Sequence, residues 1–171
     1  IEACVDALIA VLADLHAVDP DEVGLGDFGK PSGYLERQVR RWGSQWDLVK
    51  RADDPCDSDV RTLHAKLTEA IPPQSKTAIV HGDYRIDNMI LHPTEPKVIA
   101  VLDWELSTLG DPLADFTYHL MSWQMPSSDP VRPSLADVTD KEAKGIPTQD
   151  QYVARYCELT GRSGLPELDY Y

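Results

Sequence analysis

The chain has 171 residues, a net charge of −13 and a pI near 4.6. Its 42% hydrophobic content supports one domain with a real core. No basic patch is present to neutralise phosphates, which argues against a nucleic-acid or anionic-membrane partner, and no apolar run is long enough to span a bilayer. The acidic surface fits simple solubility or a preference for cationic substrates. Cys4, Cys56 and Cys157 are odd in number and far apart, with no CxxC or Cys/His cluster. That argues against zinc and for a reducing compartment, the cytoplasm. The chain starts at Ile1 inside an amphipathic pattern and reads as part of a longer protein.

Five helices are predicted, three before and two after a central β segment. Glu2 to Ala17 places Val5, Leu8, Ile9, Leu12 and Leu15 at helical spacing, with His16 in the last turn. Gly24-Leu25-Gly26-Asp27-Phe28-Gly29 matches GxGxxG literally. A dinucleotide or kinase glycine loop needs a strand before it, and here an acidic loop precedes, so the stretch reads as a connector. Tyr34 to Lys50 is a helix with Leu35, Val39, Trp42, Trp46 and Val49 on one face. Arg37, Arg40 and Arg41 lie mostly off that face and fit a solvated surface or an anion such as phosphate or CoA. Asp57-Ser58 is expected to cap a third helix with Val60, Leu63, Leu67 and Ile71 inward and His64 packed, stopped by Pro72-Pro73.

The central stretch, His81 to Trp104, follows a short apolar run, Ala78 to Val80. Met89 to Leu91 and Lys97 to Leu102 flank the turn His92-Pro93-Thr94-Glu95-Pro96, which predicts a β-hairpin ending on Asp103. Asp83 sits on a loop, where a carboxylate can accept a hydroxyl proton. Asn88 offers a neutral oxygen and Asp103 an anionic one. Such a pair is the minimal protein share for Mg²⁺, which keeps waters and substrate phosphates in its shell. The set matches the phosphotransfer arrangement in which one Asp orients the hydroxyl and an Asn and a second Asp hold the metal. His81, before Gly82, is expected to anchor the loop. His92 is expected on the surface.

Asp111-Pro112 reads as a cap and N1 proline, followed by the stripe Leu113, Phe116, Thr117 and Leu120. Met125 to Pro147 is expected to be a loop, a mobile cover for the acceptor site. Thr148 and Gln151 form a capping box opening a helix through Tyr152, Val153, Tyr156, Cys157 and Leu159, closed by Gly161.

His81-Gly82-Asp83 with Asn88, Val101-Leu102-Asp103-Trp104-Glu105, and Gly110-Asp111-Pro112 with Asp115 resemble the aminoglycoside phosphotransferase-like small-molecule kinases. The likeness extends to the Gly24–Gly29 and Tyr34–Trp42 stretches and is greatest to the kinase-like domain fused to acyl-CoA dehydrogenases and its stand-alone bacterial relatives. It implies an α+β, mainly helical fold: the C-terminal lobe of a protein-kinase-like fold, with a small β-hairpin carrying the catalytic and metal-binding loop. Residues 1–171 would be that lobe, without the N-terminal nucleotide lobe. It implies an ATP- and Mg²⁺-dependent phosphotransferase acting on a hydroxyl of a small molecule, such as a hydroxyacyl-CoA, with fusion to or association with an acyl-CoA dehydrogenase. Asp83 would be the base, Asn88 and Asp103 the metal and nucleotide ligands, and Arg85 a candidate for steadying the phosphoryl charge. Aminoglycoside enzymes commonly have His where Arg85 stands. Asp111 or Asp115 would tie down the loop. Because positioning supplies most of the catalysis, the lobe alone should turn over little. The rivals are a non-catalytic pseudokinase-like scaffold and a metal-dependent hydrolase using His81, Asp83 and Asp103. The hydrolase lacks the further His ligands such sites use. A Ser-His-Asp hydrolase lacks its GxSxG elbow.

Overall fold

The structure, a computed structural model, describes residues 1–128 and 134–171. Among these are five α-helices and two small antiparallel sheets, an α+β arrangement. Helix α1 (Glu2–Ala17) buries Leu8, Ile9 and Leu12 along the stripe its spacing defines. It packs on α5 (Gln149–Thr160) and on β1 (Ala78–Val80). Helix α4 (Pro112–Gln124) presents Leu113, Phe116 and Leu120 to the same core. Phe116 stacks on Tyr156 with ring centres 4.0 Å apart, and Trp123 stacks on Tyr152 at 4.6 Å. Aromatic stacking of this kind adds about 1 kcal/mol to each pair beyond area burial.

Strand β1 pairs with β4 (Thr108–Gly110), with Ala78 opposite Gly110 and Val80 opposite Thr108. This pairing spans a long loop and was not expected from the sequence. The expected hairpin forms from β2 (Met89–Leu91) and β3 (Val98–Val101), with Met89 opposite Val101. His92 holds the turn: its Nδ1 accepts from the backbone N–H groups of Thr94 and Glu95.

Helices α2 (Tyr34–Val49) and α3 (Asp57–Glu69) lean on each other, and α2 also meets β4. Three expectations fail here. Trp42 and Val49 do not face inward, since they are 64% and 73% exposed. Only Tyr34 and Leu35 of α2 are buried, and no residue of α3 is. Asp57 lies inside α3 and does not cap it. Its carboxylate accepts from the Trp46 indole, Lys50 and Arg61. His64 does pack inward, against Gly43 and Val39.

The Gly24–Gly29 stretch is a run of turns, as a connector should be. Gly29 lies against β4, where a Cβ would stand 2.2 Å from the Thr108 hydroxyl. Arg37 ties this connector to α2 through the carbonyls of Lys30 and Ser32. Arg40 and Arg41 are exposed. The described residues of the 125–147 segment form an irregular stretch, as expected of a loop. It holds short 3₁₀ turns at Leu135–Asp137 and Glu142–Lys144, the first with a Ser134/Asp137 capping box. Residues 129–133, part of the expected acceptor-site cover, lie outside the described residues. Thr148 and Gln151 cap α5 reciprocally, and Gly161 closes it with a left-handed φ of 68°. Among the described residues no helix is long and apolar enough to cross a membrane.

Candidate active site

Three elements converge on the loop 81–88: the end of β1, the exit of β3 and the first turns of α4. Leaving β1, the backbone turns at Gly82, whose φ is +84°. A Cβ there would meet the Leu106 carbonyl oxygen at 2.8 Å, so both conformation and space require glycine. Asp115 of α4 is 2% exposed and receives the turn. Its Oδ2 accepts the His81 backbone N–H at 2.5 Å and its Oδ1 the Gly82 N–H at 2.8 Å. Charge-assisted bonds to buried amides are among the strongest a loop can have. Of the two carboxylates expected for this task, Asp115 performs it. Asp111 caps α4 through the Leu113 N–H and gathers Ser75 and the Tyr171 hydroxyl.

A further layer lies beneath. His16 is buried. Its Nε2 meets Asp115 Oδ2 at 3.4 Å and its Nδ1 meets the Tyr156 hydroxyl at 2.8 Å. Thus α1 reaches the carboxylate that holds the loop, and α5 supports it through His16. His81 is fully buried, with Nε2 2.8 Å from the Leu102 carbonyl and Nδ1 accepting the Asp83 N–H at 3.2 Å. Both ring nitrogens are committed and fix the tautomer. The ring anchors the loop, as its position before glycine suggested. Tyr84 is equally buried and donates to the Leu8 carbonyl at 2.6 Å, pinning the loop to α1. Burial pushes the Tyr84 phenol well above its ordinary pKa.

Above this foundation the Asp83 carboxylate is held at both oxygens. Oδ1 accepts from the Tyr118 hydroxyl at 2.7 Å and Oδ2 from Asn88 Nδ2 at 2.9 Å. Asn88 closes a short 3₁₀ turn, Ile86–Asn88. Its Nδ2 also donates to the Asp83 carbonyl, so the amide nitrogen is spent inward. Its backbone carbonyl accepts the Leu102 N–H at 2.8 Å. The hairpin therefore brings Asn88 beside Leu102 and the next residue, Asp103. Asp103 is exposed and left-handed, with φ 65° and ψ 58°. That backbone costs a non-glycine residue about 1 kcal/mol or more, least for Asp and Asn, and re-aims the side chain at the strand's end. Among the described residues no hydrogen bond or ion pair reaches its carboxylate.

Asp83, Asn88 and Asp103 are thus brought into one loop cluster. Arg85 is exposed and pairs with Asp87 two residues on. Sequence reasoning passed over Tyr118 and Tyr84. Tyr118 lies three residues after Asp115, one turn along the same face of α4, and that spacing was the available signal. Among the described residues no group of three or more His, Cys, Asp or Glu side chains is arranged to hold a metal alone. Two cavities lie elsewhere. One of about 370 Å³ runs between α1 and α5, and one of about 260 Å³ is lined by His16, Lys76 and Arg162. Neither touches the 81–88 loop or Asp103.

Comparison with known proteins follows the geometry. The chain is 40% identical over 168 residues to acyl-CoA dehydrogenase family member 10 of Mus musculus, covering 98% of this chain and 15% of that protein. A solved structure from Ralstonia eutropha JMP134, classed among the aminoglycoside phosphotransferases, is 42% identical with a TM-score of 0.89. The match covers 99% of this chain and 50% of that one. A streptomycin–ATP complex of another aminoglycoside phosphotransferase shares the fold at 17% identity and a TM-score of 0.53, over 95% of this chain and 50% of that one. The chain therefore spans half or less of each of these proteins. Residues 1–155 match the family described as the phosphotransferase enzyme family, and the chain belongs to it.

Proposed function

We propose that this chain is the C-terminal, catalytic lobe of an ATP-dependent phosphotransferase that acts on a hydroxyl of a small molecule. The observation that carries this is the Asp83 carboxylate, held at both oxygens on a loop whose backbone is clamped by buried Asp115. Such a group orients an acceptor hydroxyl and takes its proton as the phosphoryl group departs.

The donor set beside it suits a hard cation. The Asn88 nitrogen faces Asp83, which leaves the amide oxygen for a ligand, and Asp103 adds an anionic oxygen. Two oxygens leave the remaining positions to water and phosphates, as Mg²⁺ prefers. Bound there with ATP, Mg²⁺ would neutralise charge on the phosphates. Arg85, paired with Asp87 through one guanidinium nitrogen, keeps further N–H donors for the transferred group. A preceding lobe would cover the nucleotide on the side of the exposed Asp103. Kinship with an acyl-CoA dehydrogenase family member suggests a hydroxylated acyl-CoA or a similar metabolite, and fusion to such an enzyme. The ATP complex of the aminoglycoside phosphotransferase agrees with a nucleotide ligand.

Calorimetry on the chain extended by the preceding lobe tests the ligand set. Mg²⁺-dependent ADP binding is expected, weakened at least about tenfold by Asn88→Ala or Asp103→Ala. Equal binding with and without Mg²⁺ would refute the assignment. No nucleotide binding at all would favour a non-catalytic scaffold.

A further inference from the structure

Asp83 owes its orientation to two donors, and the less expected one comes from another element. Tyr118 is half-buried on α4, three residues beyond Asp115. The two side chains therefore share a face. One grips the loop's backbone amides, the other the loop's carboxylate.

We propose that Tyr118 is a positioning residue for the phosphoryl-transfer step: its hydroxyl and the Asn88 amide fix the plane of the Asp83 carboxylate and so define which lone pair meets the acceptor. The inference rests on the reading of Asp83 as the base. A carboxylate offers about four lone-pair positions. With one donor on each oxygen it cannot turn about its Cβ–Cγ bond, and one lone pair per oxygen stays open. A phenol suits the task because its ring has few rotatable bonds and returns its oxygen to one place. Burial and the neighbouring Asp83 charge raise the Tyr118 pKa, which keeps the phenol protonated and donating. The Asn88 tether alone would leave Oδ1 without a fixed partner. The carboxylate would then swing, and a misplacement of about 1 Å can cost on the order of 100-fold in rate.

The test uses Tyr118→Phe in the protein that carries the nucleotide-covering lobe, with Mg²⁺-ATP as donor. ADP release is measured with a hydroxylated acceptor or, failing one, with water. A fall of kcat by about tenfold or more is expected, with the ATP KM and Mg²⁺-ADP affinity within about twofold of wild type. In an Asp83→Asn background, Tyr118→Phe should produce no further loss, because its effect passes through Asp83. A crystal structure of Tyr118→Phe should show the Asp83 carboxylate rotated, with Oδ1 moved off the position it holds beside Tyr118. Wild-type kcat in Tyr118→Phe overturns the proposal, as does an equal loss in the Asp83→Asn background. If the wild-type protein binds nucleotide but releases no ADP, the phosphotransfer reading fails by itself. The variant's structure then decides: a rotated carboxylate supports the positioning role, and an unmoved one overturns it.

Discussion

The seat beneath the 81–88 loop and the α2–α3 hairpin are built on opposite principles. The seat is dense and internally bonded. Phe116, Tyr84, Tyr152 and Tyr156 are fully or almost fully buried, and His16, His81 and Asp115 among them all have partners. Among the described residues no buried side-chain polar atom lacks a hydrogen bond. The α2–α3 hairpin buries two residues on one helix and none on the other. Its ionic cross-links are the surface pairs Lys50–Asp57 and Arg61–Asp47. Exposed ion pairs contribute little, whereas packed aromatics and charge-assisted bonds to buried amides contribute much. Burial and buried hydrogen bonds are thus concentrated beneath the loop that carries Asp83. Native-state hydrogen exchange should reflect this, with α2 and α3 exchanging well before α4.

The contrast can be broken from the dense side first. Phe116→Ala removes a ring stacked on Tyr156 and should cost about 3–5 kcal/mol in urea unfolding. Acid should weaken the same region. Burial lowers the His119 pKa from 6.5 to about 4, so the fold favours the neutral ring. Because the folded value lies below the unfolded one, the contribution is complete above about pH 6.5. It is lost as pH falls through 4, amounting to on the order of 3 kcal/mol. His119→Gln should flatten that limb of the stability–pH curve. Asp115→Ala leaves the His81 and Gly82 amides without their acceptor and should cost about 2–3 kcal/mol. It should also speed exchange at those two amides more than elsewhere. At the other extreme, Leu48, 84% exposed on α2, should accept Ser with a change within about 0.5 kcal/mol. A large loss at Leu48 would mean that the hairpin's outer face is covered.

How far the sequence could be read follows the same division. Helices α1, α4 and α5 were legible because their apolar periodicity matches a real core, and the caps at Asp111 and Thr148 mark two of their starts. The stripe of α3 misled because Val60, Leu63 and Leu67 repeat correctly yet have little to pack against. The hairpin was legible from its Pro-rich turn. Strand β4 was not, since three residues, Thr108–Gly110, carry no periodicity and pair across a long loop. Asp83, Asn88 and Asp103 stood out by type and spacing. Choosing Asp115 over Asp111 required the fold, because both carboxylates lie near the start of one helix. Tyr118 was hidden because it lies off the apolar stripe of α4 and its partner is distant in sequence.

One measurement bears most directly on Asp83 as the base. It is ADP release by the chain joined to the nucleotide-covering lobe proposed above, with Mg²⁺-ATP and a panel of hydroxylated acyl-CoAs, sugars, amino alcohols and aminoglycosides. Wild-type protein and Asp83→Ala are run side by side. The account predicts acceptor-dependent ADP release that falls by about 100-fold or more in Asp83→Ala while Mg²⁺-ADP binding persists. Acceptor-dependent release that survives Asp83→Ala unchanged would contradict it.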